Sequence, residues 1–202
     1  MQSRPGLKII GVTGGFGTGK TFVAAIFKKL GARVIDADRL SRRAVKRGTV
    51  CYDRIVRAFG PGILTKTGSI DRKRLAGMVF NSKRKLSRLN RIVHPFVIKS
   101  IKKNAAGSRN GVVVLDAPLL IEAKLTAFVD KVVVVKCSKP VQLKRTMKKF
   151  GMEEYEVTSR INSQLPIIEK EKMADFVINN NGKKEETEKQ VIKIWRRIHG
   201  NS

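Results

Sequence analysis

Gly14-Gly15-Phe16-Gly17-Thr18-Gly19-Lys20-Thr21 fits the pattern G-x-x-x-x-G-K-[ST], and its flanks are the ones that pattern needs. The apolar run Lys8–Val12 precedes it, and a stretch with helical periodicity, Lys20–Leu30, follows. Glycines let successive backbone N–H groups turn toward one anion, and the start of a helix adds a favourable dipole there. Gly14, Gly15, Gly17, Thr18 and Gly19 are therefore candidate phosphate cradles. Lys20 is placed to reach β- and γ-phosphates, and the Thr21 hydroxyl to hold Mg²⁺. A glycine-rich turn with only a connecting role would not need a Lys-Thr pair at this offset.

Working outward, short β-branched runs alternate with longer helical stretches. The strand candidates are Lys8–Val12, Arg33–Ile35, Val112–Leu115, Val132–Val135 and Phe176–Ile178. Their nearly unbroken apolar character predicts an α/β fold with a parallel sheet covered on both faces. Helices are expected at Lys20–Leu30, Arg39–Arg47, Tyr52–Phe59, Arg72–Phe80, Lys83–Val93, Pro95–Asn104, Val141–Phe150, Glu153–Gln164 and Lys184–Ile198. The long stretch between the second and third strands exceeds one crossover helix and predicts a helical lobe. Gly60-Pro61-Gly62 reads as a turn within it.

Asp36-Ala37-Asp38 closes the second strand, at the edge where open α/β sheets bind ligands. Asp38 there is either a base for a hydroxyl attacking a phosphate or the N-cap of the next helix. Asp116, after the third strand, is a Walker B-like acid or a turn residue. His94 precedes Pro95 at an expected helix junction, where packing or capping competes with catalysis. Neither histidine has a metal-ligand partner at helical spacing. Arg145, Lys148 and Lys149, with Arg160 farther on, form a basic cluster that is either a solvated face or the underside of a helical lid. Trp195 shares an amphipathic C-terminal helix with Val191, Ile194 and Ile198 and is expected in the core.

Of 202 residues, 43 are Lys or Arg and 16 are Asp or Glu, a net charge of +27. Residues 1–115 hold 26 bases against Asp36, Asp38, Asp53 and Asp71, whereas residues 116–202 hold 17 bases and 12 acids. Arg72–Leu115 contains twelve bases and no acid. Such asymmetry implies an anionic partner. The basic stretch lacks interleaved aromatics, and only 6% of residues are aromatic, so no specific nucleic acid is expected. No apolar run approaches the roughly 18–20 residues of a spanning helix, so no membrane partner is expected. The first residues carry no export signature. Cys51 and Cys137 stand far apart and read as unpaired thiols in a reducing, cytoplasmic setting.

The segments GVTGGFGTGKT, VIDADRLSRRAV, RLAGMVFNSKRKLSRLNRIVHPFV, LDAPLLIEAKL, QLKRTM, RINSQLPIIEK and ADFVINNNG, in this order, resemble the dephospho-coenzyme A kinase family. Members phosphorylate the ribose 3′-hydroxyl of dephospho-CoA with ATP in the last step of CoA synthesis. The resemblance implies a three-layer P-loop NTPase fold with a five-stranded parallel sheet. It implies one kinase domain over residues 1–202, a helical CoA-binding lobe at about 48–108 and a lid at about 141–170. ATP and dephospho-CoA are then the substrates and Mg²⁺ the metal. Carried onto matching positions, Asp38 is the catalytic carboxylate, with Lys20 and Arg145 acting on ATP phosphates. His94, Leu119 and Glu122 fall near the acceptor, and the Asn180-Asn181-Gly182 turn near adenine. Two positions depart from the family pattern. Phe22 replaces a second hydroxyl after Thr21, and Lys149 replaces a second lid arginine, keeping the charge but losing the planar fork.

Overall fold

The computed structural model describes residues 7–80, 82–105 and 111–199. The chain separates into two compact units, residues Ala37–Asn104 and the remainder. The remainder carries strands β1 (Lys8–Gly14), β2 (Arg33–Asp36), β3 (Val112–Asp116), β4 (Lys131–Lys136) and β5 (Phe176–Asn179), paired in the order β2-β3-β1-β4-β5, all parallel. These are the five expected runs, each longer by one or two residues. The helices are α1 (Lys20–Lys29), α2 (Ala37–Ala44), α3 (Val50–Phe59), α4 (Arg72–Phe80), α5 (Lys83–Ala105), α6 (Lys139–Phe150), α7 (Glu154–Asn162), α8 (Ile167–Lys172) and α9 (Lys184–His199). Among the described residues, no helix is long and apolar enough to cross a membrane.

A parallel sheet is stable only when helices cover it. On one face α1 turns Val23, Ile26 and Phe27 onto Ile10 and Val12, and α9 adds Val191, Ile194 and Ile198 to the same cluster. Each such side chain contributes about 1.5–3 kcal/mol on full burial. Trp195 is partly buried against this cluster, its ring 6.3 Å from that of Phe27, as its helical spacing predicts. This packing fixes the axis of α1, and hence the loop that feeds it.

Asp175 immediately precedes β5 and pins its start to β4: its carboxylate accepts the Lys131 ammonium at 2.8 Å and the Val132 N–H at 2.8 Å. Burial pushes the Asp175 carboxyl upward, but the Lys131 and Val132 hydrogen bonds outweigh it and hold the group below its ordinary value. A carboxylate lowered in the folded state stabilises the fold above its unfolded value and ceases to do so as pH falls through the folded value. Asp175→Asn is therefore expected to lower Tm at pH 7 by about 2–4 °C. The difference should narrow as pH falls below the ordinary carboxylate range and through the lower folded value. Parallel Tm curves for the two proteins across that range would remove Asp175 from the acid response.

The unit Ala37–Asn104 has its own core, with Ile55, Ile63, Leu75 and Val79 buried and Leu86, Leu89, Ile92 and Val93 packed against them. Thr49 caps α3 by accepting the Tyr52 N–H at 3.1 Å. Asp71 caps α4 through the N–H groups of Lys73 and Arg74 at 2.9 and 3.1 Å. The expected Gly60-Pro61-Gly62 turn is a single 3₁₀ turn, Pro61–Ile63, entered through Gly60 at φ 82°. The helix break expected at His94-Pro95 is absent: α5 runs 23 residues with Pro95 inside it. A proline removes one helical hydrogen bond. Here the apolar stripe Leu86, Leu89, Val93, Val97, Ile101 continues across Pro95 at spacings of three and four, and its burial keeps both halves in one continuous helix. Residues 106–108, at the end of the expected lobe, lie outside the described residues.

Candidate active site

β1 ends between β3 and β4, with Val12 paired to Asp116 and Gly14 to Val135. From β1 the chain goes to β2 on one side, whereas β4 and β5 extend the sheet on the other. The loop Gly15–Gly19 thus occupies the topological switch point, the crevice where open α/β sheets bind ligands. Its carbonyls and cations are ordered locally. Gly15 O accepts the Lys20 ammonium at 2.8 Å and the Thr18 hydroxyl at 2.9 Å. Gly17 and Gly19 have φ of 79° and 93°, conformations that favour glycine. A Cβ at Gly17 would also run into the Thr146 hydroxyl, and one at Gly19 into the Asn180 amide.

Two segments therefore press on the loop from outside it. From α6, Gln142 donates to Phe16 O, while the Thr146 hydroxyl donates to Gln142 O at 2.6 Å. From the end of β5, buried Asn180 donates to Thr18 O at 2.8 Å and accepts the Thr187 hydroxyl at 2.8 Å. Asn180 O in turn accepts Arg145 Nη1 at 2.6 Å. Arg145 and Lys20 also act on one thiol: burial pushes Cys137 up, and these two cations partly offset it. The loop lysine and the α6 arginine thus both lie near enough to Cys137, just past β4, to act on its thiol.

Phe16, the one aromatic of the loop, stacks on Phe150 at 5.9 Å and carries the Arg160 guanidinium of α7 5.4 Å from its ring centre. Lys149, exposed, lies 5.1 Å from the Phe150 ring. The basic cluster is accordingly divided: Arg145 is half-buried and hydrogen-bonded inward, whereas Lys148 and Lys149 are exposed. Thr21 is exposed in the first turn of α1. Asn181 is exposed and accepts the Ser138 N–H at 2.6 Å, tying the β5–α9 turn, including Gly182, to the start of α6.

Leu119 and Glu122 follow β3 in the same unit, both half-buried. Glu122 Oε1 accepts Lys170 Nζ at 2.7 Å and the Leu165 N–H at 3.1 Å. Lys170 on α8 is fully buried and also donates to Pro118 O at 3.0 Å. Breaking a buried pair of this kind from one side costs about 3–5 kcal/mol. Asp38 and His94 belong to the other unit. Asp38 is half-buried and is the second residue of α2, so it lies past the cap position and supplies first-turn acidity. His94 is half-buried in mid-α5. Asp116 is half-buried at the strand end, in register with Asp36.

Sequence reasoning gave no individual role to Gln142, Thr146 or Lys170, although each lies in one of the quoted segments. It read Asn180 as part of a turn near adenine and did not foresee its bond to Thr18, which is 162 positions away.

The dephospho-CoA kinase family model matches residues 8–186. A dephospho-CoA kinase of Geobacillus kaustophilus is 48% identical over 190 residues, covering 93% of this chain and 94% of its own. A Thermus thermophilus crystal structure superposes with a TM-score of 0.79 at 30% identity, covering 95% of this chain and 97% of its own. The dephospho-CoA kinase of Campylobacter jejuni does so with a TM-score of 0.62 at 28% identity, covering 96% and 98%. With the braced phosphate loop, its converging cations and these matches along nearly the whole length, the chain belongs to the dephospho-CoA kinase family.

Proposed function

We propose that the chain transfers the γ-phosphate of ATP to the ribose 3′-hydroxyl of dephospho-CoA, giving coenzyme A and ADP in the last step of CoA synthesis, in the cytoplasm. The observation that carries this reading is the convergence of Lys20 and Arg145 on a glycine loop held rigid by Gln142, Thr146 and Asn180. Phosphoryl transfer asks little covalent chemistry of a protein; positioning and charge do the work. The loop N–H groups and Lys20 bind the ATP phosphates, and Arg145 and Lys149 add positive charge above them. Thr21 is the protein oxygen that would hold Mg²⁺, and a hydroxyl suits a hard cation that keeps waters and shares phosphate oxygens. Charge on the phosphate oxygens would be neutralised by the ion held there.

Asp38 accepts the proton of the attacking hydroxyl. His94, Leu119 and Glu122 hold the acceptor, and Asn181 and Gly182 border the adenine of ATP. Phe22, in place of a second hydroxyl, leaves the metal-binding Thr21 intact. No specific nucleic acid or membrane partner is part of this reading. The direct test is a coupled assay of ADP release with dephospho-CoA and ATP, with the product identified by mass. Turnover of adenosine or a nucleoside monophosphate with none of dephospho-CoA would replace the acceptor.

The loop brace gives a separate expectation. Asn180→Ala deprives Thr18 O and the Thr187 hydroxyl of buried partners. Each lost partner costs about 1–3 kcal/mol, so Tm should fall. Because the loop N–H groups then lose their fixed directions, KM for ATP should rise on the order of tenfold. A lower Tm with unchanged KM for ATP would confine Asn180 to the fold.

A further inference from the structure

Lys170 sits in the charge run Glu169-Lys170-Glu171-Lys172, yet it is fully buried while Glu169 and Lys172 are exposed and pair with each other at 2.7 Å. Its ammonium has three hydrogens to place. One goes to Glu122 Oε1 at 2.7 Å and one to Pro118 O at 3.0 Å, the latter also accepting the Thr13 hydroxyl at 3.1 Å. Glu122 Oε1 takes the Leu165 N–H as well. All the bonding to this carboxylate thus falls on one oxygen. Glu122 Oε2 is buried and has no hydrogen-bond partner among the described residues, and neither has the buried Oε1 of Gln164, the residue next to Leu165. Buried acceptors are almost always paired. Two unpaired acceptors at the junction of the post-β3 loop and the end of α7 mark a place prepared for a donor from outside the chain.

A buried ion pair adds little to stability over an apolar pair of the same volume, so the arrangement needs another account. We propose that Lys170 is a positioning residue for the phosphoryl acceptor: by donating to both Glu122 Oε1 and Pro118 O, it fixes the carboxylate so that Glu122 Oε2 is left for a hydroxyl or amine of dephospho-CoA. This deepens the proposed function and rests on its choice of acceptor. The ribose hydroxyls and adenine amine of dephospho-CoA are donors of the required kind, whereas its pyrophosphate bridge would be repelled by Glu122. Lys170 touches no substrate. It holds the carboxylate turned, as an outer partner holds a ligand group.

The test is steady-state kinetics of the full chain, with KM for dephospho-CoA and for ATP measured separately in Lys170→Met and in the double variant Lys170→Met/Glu122→Leu. The single variant leaves a charge buried and is expected to lose stability. The double variant restores an apolar pair and should recover most of the Tm. In both, KM for dephospho-CoA should rise about tenfold or more, the scale seen when an outer partner is removed, while KM for ATP stays within about twofold. A wild-type KM for dephospho-CoA in the folded double variant overturns the proposal. So does an equal rise in KM for ATP, which would give the network to the phosphate loop through Thr13. Failure of the wild-type chain to use dephospho-CoA at all would instead reject the acceptor, a result separable from either.

Discussion

Lys20→Ala is expected to give a folded protein whose kcat falls by about 10²-fold or more, the loss typical when a group that stabilises developing charge is deleted. Lys20 is 9% exposed and lies along the loop, with its ammonium on Gly15 O at 2.8 Å. The substitution removes the charge-assisted hydrogen bond to Gly15 O, a cost of about 1.5–3 kcal/mol. Gly15 O keeps the Thr18 hydroxyl at 2.9 Å, so the loop retains a local tie. The Gln142 and Asn180 braces reach Phe16 O and Thr18 O and do not involve Lys20. Fold and loop shape should therefore outlast the activity. Thermal melting and kcat measured on the same preparation decide it: normal melting with more than about a tenth of wild-type kcat would take Lys20 out of the charge-stabilising role.

The loop could be read from sequence because its chemistry is local. Eight adjacent residues carry the glycines, the lysine and the hydroxyl, and an apolar β-branched run on one side and a helical period on the other set the strand and helix. The sheet was legible for the same reason: buried parallel strands are uniformly apolar, and Val132–Val135 could be little else. What supports the loop was not legible. Asn180 reads as one of three adjacent asparagines in a turn, and only the fold brings it against Thr18 and Gly19. Lys170 reads as one cation in an alternating charge run, and such runs usually face solvent. Its burial follows from α8 lying where Glu122 and Pro118 accept from one side chain, and no spacing encodes that. Pro95 misled in the opposite direction. Local punctuation argued for a break, and an apolar stripe spanning the proline prevailed.

Asp38→Asn separates chemistry from structure more cleanly than any other substitution. Asp38 is the second residue of α2, with its helix already begun at Ala37, so it lies past the N-cap position. Asparagine matches it in shape and keeps a hydrogen-bonding oxygen, and the lost charge costs its favourable interaction with the helix N-terminus, about 0.3–1 kcal/mol. Tm should therefore move by only a few degrees. Binding of ATP should be intact, because the loop, Lys20 and Arg145 are untouched. An amide cannot take the proton of the attacking hydroxyl, so kcat should fall by about 10²-fold or more. Asp36 is the control. It is an exposed carboxylate two positions earlier, at the end of β2. Asp36→Asn tests whether any negative charge at this strand end suffices, and it should leave kcat within about threefold. Calorimetric ATP affinity, Tm and kcat for both variants complete the comparison. If Asp38→Asn keeps its rate, or if Asp36→Asn loses as much, proton acceptance does not reside at Asp38.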